Sequence, residues 1–289
     1  MTDNGMQHYD DIHYRGADGL GLYARDYNRA GSSAPVLLCL HGLTRNSADF
    51  EGLASELAGD CRLVCADQRG RGRSDYDPNP ANYQPATYVA DMFALLDHLG
   101  LEQVVVIGTS MGGLMGMMMG AMQPARLRAL VLNDIGPEVN PAGLARIKDY
   151  VGKSAPVATW EEAVAQARAI NGREFPDFDH TRWLAFARAI YREQNGVPVL
   201  AYDPAIAAPI DAADAAAVPP DLWPLFEALP VPVLVLRGGH SDILLGDCAT
   251  RMGERGRNCQ VVEVSGRGHA PTLEEAAALG AIRALLDAL

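Results

Sequence analysis

The stretch VVVIGTSMGG, residues 104–113, places an apolar run, a glycine turn and a serine in immediate succession. The continuously apolar run at 104–107 predicts a buried strand, and residues 111–122 predict a helix directly behind it. Ser110 then lies in the pattern Gly-x-Ser-x-Gly between strand and helix, which is typical of a nucleophile elbow. Glycines relieve the crowding where a strand turns directly into a helix. We therefore predict that Ser110 is a nucleophile, which needs a nearby base and hydrogen-bond donors for a developing negative charge.

Length and charge narrow the class of protein. The chain has 289 residues, enough for one larger α/β domain or such a domain with an insertion. It carries 24 basic and 36 acidic residues, a net charge of -12, without a run of lysines and arginines. A nucleic-acid or anionic-membrane partner is therefore not expected. A small or neutral substrate fits better, and the sequence leaves the oligomeric state unknown.

The distribution of apolar residues and cysteines indicates a compartment. The first twenty residues are polar and acidic, and no later apolar stretch has the length of a membrane span. Five cysteines are an odd number, and Cys39 and Cys65 lie within apolar runs, which favours buried reduced thiols over a disulfide framework. We expect a cytoplasmic protein.

Strand-like and helix-like segments alternate along much of the chain. Strands are predicted at residues 36–40, 62–66, 104–107, 130–132, 233–236 and 261–264, and helices at 48–57, 87–99, 111–122 and 273–286. This alternation predicts the α/β class, with a doubly wound, mostly parallel sheet. The dipeptide Asp18-Gly19 between two short apolar segments predicts an antiparallel hairpin at one edge.

The alternation stops after residue 136, and no strand of comparable quality is predicted before Val231. Residues 160–170 and 181–192 have helical spacing, and Thr159 with Glu162 resembles a capping box. Residues 204–220 are rich in Ala, Asp and Pro. We predict a core domain at residues 1–136 and 231–289, interrupted by a helical cap at residues 137–230.

A histidine and two aspartates follow predicted strands. His269 lies on a loop between the last strand and the last helix, at the edge of a parallel sheet where ligands bind. It is the predicted general base. Asp242, just past the strand at 233–236, is the predicted partner of the far nitrogen of His269. Asp134 is the main alternative for that role.

A second glycine turn follows the strand at 36–40. There the sequence Leu40-His41-Gly42-Leu43 is able to aim the backbone N–H of Leu43 at the same point as the N–H of Met111. These two N–H groups are the predicted oxyanion hole, which the hydroxyl of Thr44 is able to supplement.

Together, the oxyanion loop, serine, aspartate and histidine occur in an order that resembles the α/β-hydrolase superfamily over nearly the whole chain. Residues 67–74, DQRGRGRS, also resemble the superfamily's loop after the fourth strand. There the resemblance implies a structural arginine network and no catalytic role.

The nucleophile distinguishes chemistries within the superfamily. Ser110 stands where haloalkane dehalogenases and epoxide hydrolases carry an aspartate, which disfavours those activities. The elbow Ser-Met-Gly-Gly resembles that of bacterial serine carboxylesterases, enol-lactonases, perhydrolases and carbon–carbon hydrolases. The resemblance implies hydrolysis of a small carboxylic ester through an acyl-Ser110 intermediate, with no metal or organic cofactor. Two alternatives remain: a carbon–carbon bond hydrolase of aromatic ring-fission products, and a small-ligand receptor with slow turnover.

The predicted cap suggests the nature of the substrate pocket. Its aromatic residues offer apolar area, and no segment of it clusters arginines as a strongly anionic substrate would require. We therefore expect a mainly apolar acyl pocket.

Overall fold

A computed structural model describes residues 8–31, 33–212 and 221–289. Residues 213–220 of the segment that is rich in Ala, Asp and Pro lie outside the described residues, as do the first seven of the polar N-terminal twenty.

The described part of the chain contains an eight-stranded sheet and a separate two-stranded sheet. Their strands are β1 (Asp10–Arg15), β2 (Gly21–Tyr27), β3 (Val36–Leu40), β4 (Arg62–Asp67), β5 (Val104–Thr109), β6 (Leu127–Asn133), β7 (Tyr191–Gln194), β8 (Val197–Leu200), β9 (Val233–Gly238) and β10 (Cys259–Val264). The large sheet has the order β1-β2-β4-β3-β5-β6-β9-β10. Strands β1 and β2 pair antiparallel, as the hairpin prediction requires, and from β4 onward the strands are parallel.

The α-helices cover both faces of the large sheet. In chain order they are α1 (Glu51–Leu57), α2 (Pro85–His98), α3 (Met111–Met122), α4 (Pro141–Tyr150), α5 (Trp160–Asn171), α6 (His180–Ile190), α7 (Ala208–Ala212), α8 (Trp223–Glu227), α9 (Gly246–Arg255) and α10 (Ala276–Asp287). Helices α2, α3 and α9 pack on one face, and α1 and α10 pack on the other. Central strands are consequently apolar on both sides, which is why they read as continuous apolar runs. The predicted doubly wound, mostly parallel α/β fold is confirmed.

Helices α4 to α8 and the small sheet all lie between β6 and β9 in sequence. The hydroxyl of Thr159 accepts a hydrogen bond from the Glu162 N–H (3.2 Å), as the capping-box motif predicts. Helices α5 and α6 share a core of their own around Trp183, which is 2 % exposed. Burial around an aromatic side chain of this size contributes substantially to holding these two helices together.

One prediction in this region is wrong. The helix predicted at 181–192 ends at Ile190, and the chain continues into the hairpin of β7 and β8. Asn195 and Gly196 form its turn with φ of 53° and 80°. Asn-Gly favours this left-handed pair, so it signalled a hairpin between two short strands well before Val231.

Candidate active site

The turn that carries Ser110 depends on its glycines. A Cβ on Gly108 would lie 2.3 Å from the carbonyl oxygen of Gly112, and a Cβ on Gly112 would lie 2.1 Å from the carbonyl oxygen of Leu40. Side chains at these positions would push α3 away from β5 and β3. Ser110 itself has φ of 53° and ψ of -116°, a strained conformation that sets it at the junction of β5 and α3.

Ser110, His269 and Asp134 form a hydrogen-bonded chain. The Oγ of Ser110 lies 2.9 Å from Nε2 of His269. Nδ1 of the same ring lies 2.7 Å from Oδ2 of Asp134. The imidazole is therefore placed to accept the serine proton at Nε2 while Nδ1 donates to the carboxylate.

Asp134 is fully buried, and its carboxylate is held by three donors. Its Oδ1 accepts from the backbone N–H of Gly238 (2.7 Å), and its Oδ2 accepts from the Ser241 hydroxyl (2.5 Å) as well as from His269. Hydrogen-bond donors thus satisfy both oxygens of this buried carboxylate. Ser241 is a site residue that sequence reasoning missed.

The prediction that Asp242 holds His269 is wrong in this structure. The Asp242 carboxylate instead accepts two hydrogen bonds from Arg146 on α4, from Nε at 2.6 Å and from Nη2 at 2.7 Å. Helix α4 packs directly on this turn, since a Cβ on Gly143 would lie 2.2 Å from the Asp242 carbonyl oxygen. Asp134, the stated alternative, takes that place, since its Oδ2 lies 2.7 Å from Nδ1 of His269.

Asn133 connects the loops that carry the hydrogen-bonded chain. Its backbone carbonyl accepts from the Ser110 N–H (3.0 Å). Its side-chain amide donates to the hydroxyl of Thr109 (3.0 Å) and to the carbonyl of Pro271 (2.9 Å), two residues after His269. Sequence reasoning missed this role, although a buried amide next to a candidate acid was a signal for it.

The turn after β3 lies beside the nucleophile. A Cβ on Gly42 would lie 3.7 Å from the Cβ of Ser110. Within the described residues, the N–H groups of Leu43 and Met111 donate no hydrogen bond to the protein. Their assignment as an oxyanion hole stays a prediction. Arg71 supports the turn, because its Nε donates to the Leu43 carbonyl (2.9 Å).

His41 fixes the same turn from inside. Burial lowers the pKa of its imidazole well below the usual value, which keeps it neutral. Its Nε2 accepts from the Gln68 N–H (3.1 Å), so the ring proton lies on Nδ1, which donates to the Gly42 carbonyl (2.7 Å). The segment at 67–74 also has the expected arginine network, in which Arg69 pairs with buried Asp77 and Asp91.

Ser110 and His269 open into a cavity of about 670 Å³. Its apolar wall includes Phe175, Phe178 and Phe186, which also pack against one another in the core of α5 and α6. This wall agrees with the apolar surface expected from the sequence.

The same cavity also carries arginines, which the sequence expectation left out. Arg45 pairs with Asp49 (2.7 Å) and Arg182 with Glu274 (3.5 Å), and all four residues line the cavity. Arg188, on α6, lies over the Trp160 ring at 4.7 Å. It has no carboxylate partner within the described chain, so it is the uncompensated cation of the lining.

The described residues lack two features, a metal-binding cluster and a membrane-spanning helix. No cluster of three or more His, Cys, Asp or Glu side chains there has the arrangement of a metal site. No helix there combines the length and apolar character that crossing a membrane requires.

Comparison with known proteins identifies the family. Residues 35–244 match the model of the alpha/beta hydrolase fold family. The chain belongs to the α/β-hydrolase fold family. A solved α/β hydrolase from Novosphingobium aromaticivorans is 46 % identical, with a TM-score of 0.92, over 99 % of this chain and 100 % of that one.

Two relatives that match most of this chain are hydrolases by name. A 3-hydroxybutyrate-oligomer hydrolase of Cupriavidus necator is 39 % identical over 269 residues, 89 % of this chain and 90 % of its own length. A 2-(acetamidomethylene)succinate hydrolase of Mesorhizobium japonicum is 26 % identical over 241 residues, 83 % of this chain and 84 % of its own. The chain is thus a hydrolase of the α/β fold.

Proposed function

We propose that this protein is a serine esterase that cleaves short linear oligomers of a 3-hydroxy acid such as 3-hydroxybutyrate. The observation that carries the esterase chemistry is the hydrogen-bonded chain from Ser110 through His269 to Asp134, with distances of 2.9 and 2.7 Å. The substrate class is supported by the 39 % identity to the Cupriavidus necator enzyme over 89 % of this chain.

In this mechanism Ser110 attacks the ester carbonyl while His269 Nε2 takes its proton. The N–H groups of Leu43 and Met111 receive the negative charge that develops on the carbonyl oxygen. Ionised Asp134 stabilises the imidazolium that forms. His269 then gives the proton to the departing alcohol oxygen, which is the hydroxyl of the next hydroxy-acid unit.

Hydrolysis of the acyl-enzyme repeats the same proton transfers. His269 accepts a proton from water, whose oxygen attacks the acyl carbon and releases Ser110. Each water consumed cleaves one ester bond and yields two fragments, each of which is a shorter oligomer or a free hydroxy acid. No step requires a group beyond the protein and water.

The cavity fits a substrate of this chemistry. Hydroxybutyrate units present methyl and methylene groups that suit the wall of Phe175, Phe178 and Phe186. The oligomer also ends in a free carboxylate, and Arg188 offers the cavity lining a cation that no described carboxylate compensates.

The test is hydrolysis of linear 3-hydroxybutyrate dimers and trimers, with products followed by chromatography, beside short and medium p-nitrophenyl esters. Ser110→Ala is the control, and a fluorophosphonate followed by intact-protein mass spectrometry reports on the serine. We expect turnover of oligomers and labelling of the wild-type protein only. Labelling without turnover of any ester would overturn the esterase proposal and favour a carbon–carbon hydrolase or a ligand receptor.

A further inference from the structure

A second cluster of charges lies beside the histidine loop. Arg146 on α4 binds Asp242 with two hydrogen bonds and also lies 3.1 Å from Oε1 of Glu174. Asp242 comes from the turn after β9, and Glu174 follows α5. One guanidinium thus pairs with two carboxylates from different parts of the chain, and neither carboxylate belongs to the hydrogen-bonded chain of the active site.

Both carboxylates are built into the surroundings of His269. The carbonyl of Glu174 accepts from the N–H of Gly268 (3.1 Å), and a Cβ on Gly268 would lie 2.6 Å from Oε2 of Glu174. Asp242 directly follows Ser241, which donates to Asp134. His269 therefore has one carboxylate that it contacts and two more close by.

The two carboxylates differ in how firmly they are ionised. The Arg146 hydrogen bonds hold the pKa of Asp242 below its ordinary value, and the charge of His269 acts in the same direction more weakly. Burial raises the pKa of Glu174, against the attraction of Arg146 and His269. Arg146 acts on both carboxylates, and Arg173 acts more weakly on Glu174.

We propose that Arg146 is a positioning residue for the esterase reaction, which offsets part of the negative charge of Asp242 and Glu174 so that Asp134 remains the carboxylate that acts most strongly on the His269 imidazole. This inference rests on the proposed function. Without Arg146, two uncompensated carboxylates would stabilise the imidazolium in the resting enzyme. A base that is already protonated cannot accept the serine proton, so activity would be lost at a higher pH.

Arg173 also acts on Glu174, and the other charged groups next to this loop are paired with partners. Arg267 on the loop binds Asp177 and Glu275, and Arg182 binds Glu274. Substitution of Arg146 thus changes the balance at Asp242 and Glu174 directly and leaves these pairs in place.

The experiment compares the pH dependence of Ser110 labelling by a fluorophosphonate and of p-nitrophenyl ester turnover. For Arg146→Gln we expect the pH of half-maximal rate to rise by about half a unit or more, a shift typical of a partly solvent-screened charge. That shift means roughly threefold slower labelling on the acidic limb. The pH of half-maximal rate for Arg146→Lys should stay near that of the wild type. Adding Asp242→Asn to Arg146→Gln should reverse most of the shift. Arg251→Gln is the matched control, because Arg251 makes a similar two-bond pair with Glu138.

Asp242→Asn alone supplies a second measurement that does not require Arg146→Gln to fold. It leaves Arg146 less compensated, so the pH of half-maximal rate should fall. A loss of rate at all pH values with an unchanged profile in these variants would mean that Arg146 is merely structural and would overturn the inference. Labelling does not depend on the natural substrate, so absence of ester turnover would count against the proposed function alone.

Discussion

Exchange of Asp134 for Asn is the perturbation that tests the site most directly. Asn retains the size of Asp and an oxygen that is able to accept from the N–H of Gly238, so the turn is expected to fold. It loses the negative charge that stabilises the imidazolium. Its amide N–H₂ also favours the ring tautomer with the proton on Nε2, which faces Ser110 at 2.9 Å and then cannot accept the serine proton.

Both losses fall on the transition state, so turnover should decrease by about 10⁴-fold. At 1.36 kcal/mol for each factor of ten, this is about 5.5 kcal/mol of lost transition-state stabilisation. Asp242→Asn is the matched control, because that carboxylate binds Arg146 and not the imidazole. It should change the maximal turnover by less than tenfold.

The assay is steady-state hydrolysis of a short p-nitrophenyl ester at the pH of maximal rate, with thermal unfolding as a check on the fold. The reasoning would be refuted if Asp242→Asn lost as much activity as Asp134→Asn, or if Asp134→Asn kept more than a tenth of wild-type turnover.

Three further substitutions test the cavity, the elbow and the arginine network. Arg188→Gln should raise KM about three- to tenfold for a 3-hydroxybutyrate dimer but not for its methyl ester. The control Arg192→Gln removes a guanidinium that stacks on Tyr76 outside the cavity lining, and it should change neither KM value. Equal effects of Arg188→Gln on the acid and the ester would contradict the carboxylate contact. Gly112→Ala should destabilise the fold by more than about 2 kcal/mol in urea unfolding, because its Cβ meets the backbone of β3, and a neutral effect would contradict this packing. Arg69→Met should cost about 3–5 kcal/mol in the same assay, because it leaves the buried carboxylate of Asp91 without its cation; unchanged stability would show that this pair is dispensable.

The sequence predicts the fold well because buried parallel strands and tight glycine turns leave strong local signals. Strand β3 and helix α3 begin and end where the apolar runs do, and the glycines around Ser110 have the close contacts that their pattern implies. The β7–β8 hairpin was missed because its strands are only four residues long and follow a helical pattern without a break.

The acid at the site was harder to predict because it depends on distances across the sheet. Asp134 and Asp242 each follow a parallel strand, and chain order does not say which of them the histidine loop reaches. The side-chain contacts decide between them, because Asp134 binds His269 whereas Asp242 binds Arg146, and both contacts are tertiary features. Arg188 on α6 and Glu174 after α5 were missed for a related reason, since they reach the cavity or the histidine loop from a part of the chain that is distant in sequence.

Asn133 has a consequence for how the site tolerates thermal motion. A single residue at the end of β6 fixes the serine turn through its main chain and the histidine loop through its amide, and the next residue along the chain is Asp134. A small slide of β6 therefore carries the anchors of nucleophile, base and acid in the same direction. The spacing among the three groups is buffered against such fluctuations, although they come from three distant parts of the chain.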